Sequence, residues 1–164
     1  TLVLTTRLSE RQVSVPHVGD SRLYLIRNGA IQTLTSDHSW VAEQVEKGYM
    51  TEEEAERSPR RNIVTRALGV ESSVDIDLAE IPIATGDLLL LCSDGLTDRV
   101  DGDVIHSVVD EKRSDLAVAA GDLIDLANQN GGRDNISVVL VRVPPEFLPS
   151  TGWAQRWLAK KKAQ

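Results

Sequence analysis

The sequence contains few aromatic residues and a single cysteine. Only 4% of its 164 residues are Phe, Trp or Tyr, so aliphatic side chains must form most of the hydrophobic core. Cys92 has no second cysteine with which to form an internal disulfide bond, and its position in an apolar run predicts a buried thiol. This cysteine content favours a reducing compartment, and we expect a cytoplasmic protein.

The sequence also lacks a recognisable signal peptide and any apolar run long enough to cross a membrane. It has no excess of basic residues, because its formal net charge is −7. A general nucleic-acid-binding protein usually presents a basic face, so the charge argues against nucleic acid as a partner. Acidic side chains are instead suited to binding hard divalent cations.

An initiator methionine is missing, since the sequence begins at Thr1. Its first residues, TLVLTTRL, already have the pattern of the middle of a β-strand. We therefore expect either that the sequence is a fragment or that upstream residues have been lost or removed.

The first part of the sequence predicts an antiparallel meander of about four strands. The strand-like runs are 1–8, 12–18, 22–27 and 30–34. Asn28-Gly29, between the last two runs, is typical of a two-residue hairpin turn. These last two strands are therefore expected to pair with each other.

Residues 35–62 form a charged, weakly apolar segment that we interpret as a surface insertion, called the insertion below. Residues 40–47 have helical spacing. Thr51 and Glu54 have the pattern of a capping box before a second, acidic helix. Residues 63–68 are apolar again, which predicts a return to the hydrophobic core.

The second half of the sequence alternates predicted strands and helices. Residues 74–80 alternate apolar and acidic side chains, as a half-exposed strand does. Residues 86–98 (GDLLLLCSDGLTD) contain four consecutive leucines, which predict a strand buried on both faces. Helices are expected over 101–111 and 114–130, the second capped by Ser114, and the β-branched run 136–143 predicts another buried strand.

Two prolines, Pro144 and Pro145, end this pattern. We therefore place one domain in residues 1–145 and a basic tail or linker in residues 146–164. The tail combines tryptophans with lysines, which is typical of an amphipathic helix that contacts a membrane surface or a partner. A frayed helix that begins a linker is the alternative.

Three aspartates share one setting: Asp20, Asp94 and Asp134 each lie beside a glycine-containing turn at the end or start of an apolar strand. If the strands are neighbours, the carboxylates meet at one rim of the sheet. With little His or Cys nearby, they suit Mg²⁺ or Mn²⁺ better than Zn²⁺, and a bound cation relieves their repulsion. The alternative is three unrelated turn aspartates, because Asp is common in turns.

Five stretches, in this order, closely resemble the bacterial metal-dependent protein phosphatases of type 2C: HVGDSRLYLIRNG, LTSDHS, RRNIVTRALG, GDLLLLCSDGLTD and GGRDNISVVLVRV. The resemblance implies an α+β fold, a sandwich of two antiparallel sheets flanked by helix pairs, incomplete here at the N-terminus. It also implies a phosphatase that hydrolyses phosphoserine and phosphothreonine with water bound by two Mn²⁺ or Mg²⁺ ions. The insertion resembles the family's mobile flap beside the active site.

By motif, Asp94 and Asp134 match ligands of the family's binuclear centre. Asp20 matches a ligand of a possible third ion, shared with Asp94. The family's N-terminal motifs, which include a phosphate-binding arginine and an Asp-Gly-His-Gly-Gly type loop, have no counterpart here. The resemblance thus implies roughly the C-terminal two thirds of a catalytic domain, with catalytic residues upstream of Thr1 and little or no activity for this chain alone.

The three histidines match none of the missing positions. His17 in a strand and His106 on a helix are expected to be structural. His38, next to the insertion's first helix, is either structural or in contact with substrate.

The resemblance implies phosphorylated protein substrates of a serine/threonine kinase as partners. A second hypothesis is a catalytically dead relative that acts as a regulatory or binding module, although every acid expected within this sequence is present. A third hypothesis, a sheet protein with incidental turn aspartates, predicts no dependence on metal.

Overall fold

The computed structural model describes residues 8–9 and 12–144, which form two antiparallel sheets and associated helices. The first sheet contains β1 (Leu8–Ser9), β2 (Gln12–His17) and β5 (Asp77–Pro82), with β2 in the middle. The second contains β3 (Arg22–Arg27), β4 (Ala30–Thr33), β6 (Leu88–Cys92) and β7 (Val138–Arg142), in the spatial order β4-β3-β6-β7. The predicted pair of antiparallel sheets is therefore confirmed.

The helices fall into two groups. The insertion carries α1 (Trp40–Glu46) and α2 (Glu52–Arg57), whereas α3 (Asp94–Thr97), α4 (Gly102–Glu111) and α5 (Leu116–Gln129) lie between β6 and β7 in the chain. In the described ranges, no helix is long and apolar enough to span a membrane. The start of the first predicted strand and the tail 146–164 lie outside the described residues.

The predicted four-stranded meander is wrong at one point, because β2 and β3 belong to different sheets. β2 pairs along its whole length with β5, from Gln12 opposite Pro82 to His17 opposite Asp77. The chain then crosses to the second sheet through residues 18–21. The predicted hairpin of β3 and β4 is confirmed, since both of its turn residues have positive φ angles.

The centre of the second sheet is buried on both faces. Leu23 and Leu25 of β3 and Leu89 of β6 pack with Val13 and Val15 of the first sheet. On the opposite face, the same two strands form one core with the helices through Tyr24, Ile26, Leu88 and Leu90. Burial of one such side chain contributes about 1.5–3 kcal/mol. The prediction of a doubly buried strand over the four leucines is confirmed, and the end of β6 is held firmly in place.

The single cysteine lies in this core. Cys92, the last residue of β6, is 3% exposed and forms no disulfide bond. Burial raises the pKa of its thiol to about 12, so the thiol stays protonated at neutral pH. The predicted buried thiol is confirmed.

Helices α4 and α5 cover one face of the second sheet. Ile105 and Val109 of α4 lie in the core, as do the small and apolar residues of α5 at four-residue intervals: Ala119, Leu123 and Ala127. The predicted cap of α5 is wrong by one residue. Asp115, not Ser114, is the N-cap, and its carboxylate accepts the Ala117 and Val118 N–H groups at 3.2 Å each.

The insertion is attached to the sandwich at its base. Thr51 and Glu54 form the predicted capping box at the start of α2. The two ends of the insertion meet through two backbone hydrogen bonds. The Trp40 N–H donates to the Ile63 carbonyl (2.8 Å), and the Thr65 N–H donates to the His38 carbonyl (2.8 Å). Because these bonds close the segment, the insertion has a fixed base, beyond which α1 is half-buried and α2 is mostly exposed.

Two runs that the sequence predicts as core are partly exposed. Residues 63–68 form only an isolated bridge at Val64, and Ile63 and Leu68 are among their exposed side chains. In β7, Val139 and Val141 are 53% and 43% exposed, because within the described residues only the opposite face is covered by helices. Within the described residues, both runs are therefore less buried than their apolar composition predicts.

Candidate active site

Asp94 lies at the point where the doubly buried strand β6 ends and helix α3 begins. Its Oδ1 accepts the Gly95 N–H at 2.9 Å, which turns the carboxylate toward the start of the helix. Burial, followed by the negative charges of Asp20 and Asp134, raises the pKa of Asp94 above its ordinary value. Asp94 is thus a partly buried carboxylate that interacts electrostatically with two other carboxylates.

Strand register places all three aspartates at the same end of the second sheet. Arg22 pairs with Cys92, so Asp20 and Asp94 lie just beyond the ends of the neighbouring strands β3 and β6. Cys92 also pairs with Val138, so the loop that carries Asp134 reaches the same end from β7. The sheet itself therefore brings together residues that are far apart in the chain.

Ser93 joins the Asp94 and Asp134 loops. Its hydroxyl donates to the Asn135 carbonyl (2.8 Å) and accepts the Ser137 N–H (3.0 Å), and its own N–H donates to the Ser137 carbonyl (3.1 Å). Asp134 Oδ1 accepts the Asn135 N–H at 2.7 Å, which orients that carboxylate. These bonds fix the two predicted ligands relative to each other.

Gly95 permits the close approach of these loops. A Cβ atom at this position would lie 2.5 Å from the Asn135 carbonyl oxygen and 3.0 Å from its carbonyl carbon. Both are backbone atoms, so they have no side-chain freedom with which to move away. The glycine of the Asp-Gly pair is therefore required by contact with the Asp134 loop rather than by an unusual backbone angle.

The three carboxylates suit a divalent cation by donor type, and they lie at the same end of the sheet. They offer only oxygen atoms, the donors that Mg²⁺ and Mn²⁺ prefer, and burial together with the charges of Asp20 and Asp134 raises the pKa of Asp94. Among the described residues, however, no three His, Cys, Asp or Glu side chains are close enough to hold a metal ion. The charges therefore interact over more than a coordination distance, and the ligand assignment stays a prediction.

His38 supports the structure, which is one of the two roles that the sequence left open. Its ring is 2% exposed, its Nδ1 accepts the Gly19 N–H (3.1 Å) and its Nε2 faces Asp77 Oδ2 (3.1 Å). It thereby supports the turn that carries Asp20. Burial of the His38 ring therefore favours the structural role over contact with substrate.

His17 packs beside His38, with 4.7 Å between the ring centroids. Its Nε2 donates to the Ser21 carbonyl (2.9 Å), and its buried Nδ1 has no partner among the described residues. Burial and the neighbouring His38 lower the pKa of His17. On helix α4, the buried Nε2 of His106 also lacks a partner within the described chain. The expectation of structural roles for His17 and His106 agrees with these positions.

A cleft of about 260 Å³ opens beside the Asp94 and Asp134 loops. Its lining comprises Arg61, Asn62, Gly95, Asp98, Arg99, Arg133 and Asp134. Sequence reasoning did not single out these arginines, although Arg61 and Arg133 lie within recognised stretches and Arg99 directly follows one. The base of the insertion, the turn after α3 and the loop before β7 all contribute to this one cleft.

Two packed antiparallel sheets, with helices on one face, define an α+β sandwich. The family model described as protein phosphatase 2C matches residues 2–136, and the chain belongs to this family. The family is metal-dependent, which agrees with the oxygen-only character of the three aspartates.

Within this family, the chain is similar to several bacterial serine/threonine phosphatases. It is 44% identical over 141 residues to the serine/threonine phosphatase stp of Listeria welshimeri, covering 86% of this chain and 56% of that protein. It matches the structure of the Streptococcus agalactiae serine/threonine phosphatase with a TM-score of 0.77 and 43% identity, covering 81% of this chain and 55% of the other. It also matches the catalytic domain of the phosphatase PstP in complex with two manganese ions (TM-score 0.70, 35% identity), covering 85% and 56% of the two chains.

The chain spans about half the length of the curated relatives it matches, 56% in the Listeria protein. Family membership is therefore shown for the part that the chain covers. The activity of the natural protein that contains this sequence is a separate question.

Proposed function

We propose that the natural protein containing this sequence is a metal-dependent serine/threonine protein phosphatase. The observation that carries the proposal is the placement of Asp20, Asp94 and Asp134 at one end of the second sheet, in a chain of the protein phosphatase 2C family. Relatives that carry the name serine/threonine phosphatase support the same activity.

In this proposal, Asp94 and Asp134 bind Mn²⁺ or Mg²⁺, and Asp20 shares a further ion with Asp94. Burial raises the pKa of Asp94 most, and the charges of Asp20 and Asp134 raise it further; a bound cation would offset both effects, which supports the assignment. When bound, such cations stabilise the charge on phosphoryl oxygens and make water a better nucleophile. Ser93 and Gly95 hold the Asp94 and Asp134 loops next to each other, and the carboxylates would move closer together when they bind a cation.

The substrates are phosphoserine and phosphothreonine side chains of proteins that a serine/threonine kinase modifies. We infer a cytoplasmic location, where such substrates and kinases occur. A catalytically dead binding module is the alternative, and it is less well supported because all three predicted acidic ligands within the sequence are retained.

The test is Asp94→Asn in the natural protein, with Asp125→Asn as the matched control on the exposed surface of α5. Hydrolysis of p-nitrophenyl phosphate and of a phosphothreonine peptide is measured over a Mn²⁺ and a Mg²⁺ titration. We expect Asp94→Asn to abolish metal-dependent turnover and the control to leave it unchanged. Turnover that is independent of metal, or equal in the two variants, contradicts the proposal.

Residues 1–164 alone are assayed in parallel. Because the family's phosphate-binding arginine and Asp-Gly-His-Gly-Gly type loop have no counterpart in this sequence, we expect the chain alone to be inactive or nearly so. Strong Mn²⁺-dependent hydrolysis by the isolated chain would show that these residues are dispensable.

A further inference from the structure

Three arginines from separate parts of the chain line the cleft beside Asp134. Arg61 belongs to the base of the insertion, Arg99 follows helix α3, and Arg133 directly precedes Asp134. The cleft is small, about 260 Å³, so three residues with positively charged side chains border one confined space. Two carboxylates, Asp98 and Asp134, complete its charged lining.

Arg61, Arg99 and Arg133 form no ion pair with any described residue, although two carboxylates line the same cleft. The Arg61 guanidinium donates to the Glu56 carbonyl at 3.4 Å, whereas those of Arg99 and Arg133 have no hydrogen-bond partner among the described residues. Other arginines, such as Arg57 on α2, also lack an ion pair within the described chain, so it is the gathering of three arginines in one cleft that distinguishes this place. If Asp134 holds a cation, Asp98 alone opposes three positive charges, and the cleft favours an anion.

The backbone that carries two of these arginines is anchored on the end of α5. The Arg99 carbonyl accepts the Asn130 side-chain N–H at 2.8 Å. Before Arg133, the Gly132 N–H donates to the Ala127 carbonyl at 3.1 Å, and a Cβ on Gly132 would lie 2.5 Å from Asn128 Oδ1. Both guanidinium groups therefore start from fixed backbone positions, which lowers the entropy cost of binding.

We propose that this cleft binds an anionic side chain of the substrate beside the phosphate that is removed, and that Arg99 and Arg133 determine this specificity. The inference rests on the proposed phosphatase activity and names a substrate class for the same site: phosphopeptides with an acidic group next to the target residue. The anion is a carboxylate of Asp or Glu, or a second phosphate, since guanidinium groups bind both in the same bidentate way.

The experiment compares three phosphothreonine peptides of equal length with the natural protein. Their flanking positions carry alanine, glutamate or phosphoserine. The variants are Arg99→Gln/Arg133→Gln, Arg99→Lys/Arg133→Lys, and Arg57→Gln as a control that removes one arginine of α2 outside the cleft. The measured quantity is the ratio of kcat/KM between each acidic peptide and the alanine peptide.

We expect the natural protein to prefer an acidic peptide, and the glutamine double variant to lower that preference by about tenfold, because each exposed charge pair contributes up to about fivefold. The lysine double variant should keep much of the preference, and Arg57→Gln should keep all of it. Added salt should weaken the preference in the natural protein, because it screens exposed charges. A preference for only one of the acidic peptides identifies which anion the cleft recognises.

The outcomes separate the two proposals. Hydrolysis of all three peptides at equal rates, or a preference that the glutamine variant retains in full, overturns the specificity assignment and leaves the phosphatase proposal intact. No hydrolysis of any peptide by the Mn²⁺-loaded natural protein overturns the phosphatase proposal itself, and the specificity proposal with it.

Discussion

Replacing Gly95 with alanine tests whether close contact between two loops positions the candidate metal ligands. The new Cβ would lie 2.5 Å from the Asn135 carbonyl oxygen, whereas an ordinary contact begins at 3.4 Å. The Asp134 loop must therefore retreat by about 0.9 Å, or α3 must shift by the same distance. Ser93 hydrogen-bonds both Asn135 and Ser137, so the strain spreads through the whole junction.

Two consequences follow for the natural protein. Forced overpacking of this kind costs about 1–3 kcal/mol of unfolding free energy. A displacement of about 1 Å between catalytic groups lowers rates by up to about 100-fold, so we expect kcat/KM to fall between tenfold and 100-fold. Because Asp134 moves relative to Asp94, we also expect a higher Mn²⁺ concentration for half-maximal activity.

Gly121→Ala is the matched control, since a Cβ there meets no atom within 4 Å and the residue lies inside α5. This change should raise stability by about 0.5–1 kcal/mol through helix propensity and leave activity unchanged. The assays are chemical denaturation and a Mn²⁺ titration of p-nitrophenyl phosphate hydrolysis. If Gly95→Ala matches the natural protein in both assays, contact between the loops does not position the ligands.

Two further predictions concern stability and its pH dependence. Asp87 is 2% exposed, and the Arg27 guanidinium bonds both of its oxygens, which outweighs burial and lowers its pKa. Asp87→Asn should lower the free energy of unfolding by about 2–3 kcal/mol in denaturant at neutral pH, since Arg27 loses a buried partner. The difference between the variant and the natural protein should shrink as pH falls below the ordinary Asp pKa. A difference that does not change with pH contradicts this prediction. Burial and His38 lower the pKa of His17, so its contribution to stability is complete above the model-peptide pKa of about 6.5 and is lost as pH falls below it. His17→Gln should flatten that slope, and an unchanged slope contradicts the assignment.

Local chemistry explains what the sequence predicted well. The Asn28-Gly29 turn, the capping box of Thr51 and the doubly buried leucine strand each depend on residues close together in the chain. Their energetics are decided within a few residues, so pattern and spacing suffice. The setting of Asp94 at the end of such a strand follows from the same reasoning.

Long-range pairing explains what the sequence did not reveal. β2 pairs with β5 rather than with β3, so the paired residues are at least about sixty positions apart in the sequence. No local sequence signal indicates this pairing. The exposure of Val139 depends on which elements pack against its face of the sheet. The composition of the strand gives no information about those elements. Arg61, Arg99 and Arg133 were missed for a related reason, since a lone surface arginine is common and only the fold collects three in one cleft.

The base of the insertion is coupled to the turn that carries Asp20. His38 accepts the Gly19 N–H, and the adjacent Asp37 forms a bidentate pair with Arg22 at 2.9 and 2.7 Å. Both contacts join the start of the insertion to the two sides of Asp20. Local unfolding that detaches the insertion must therefore expose the Gly19 amide to solvent, so the insertion and this turn form one cooperative unit in hydrogen exchange.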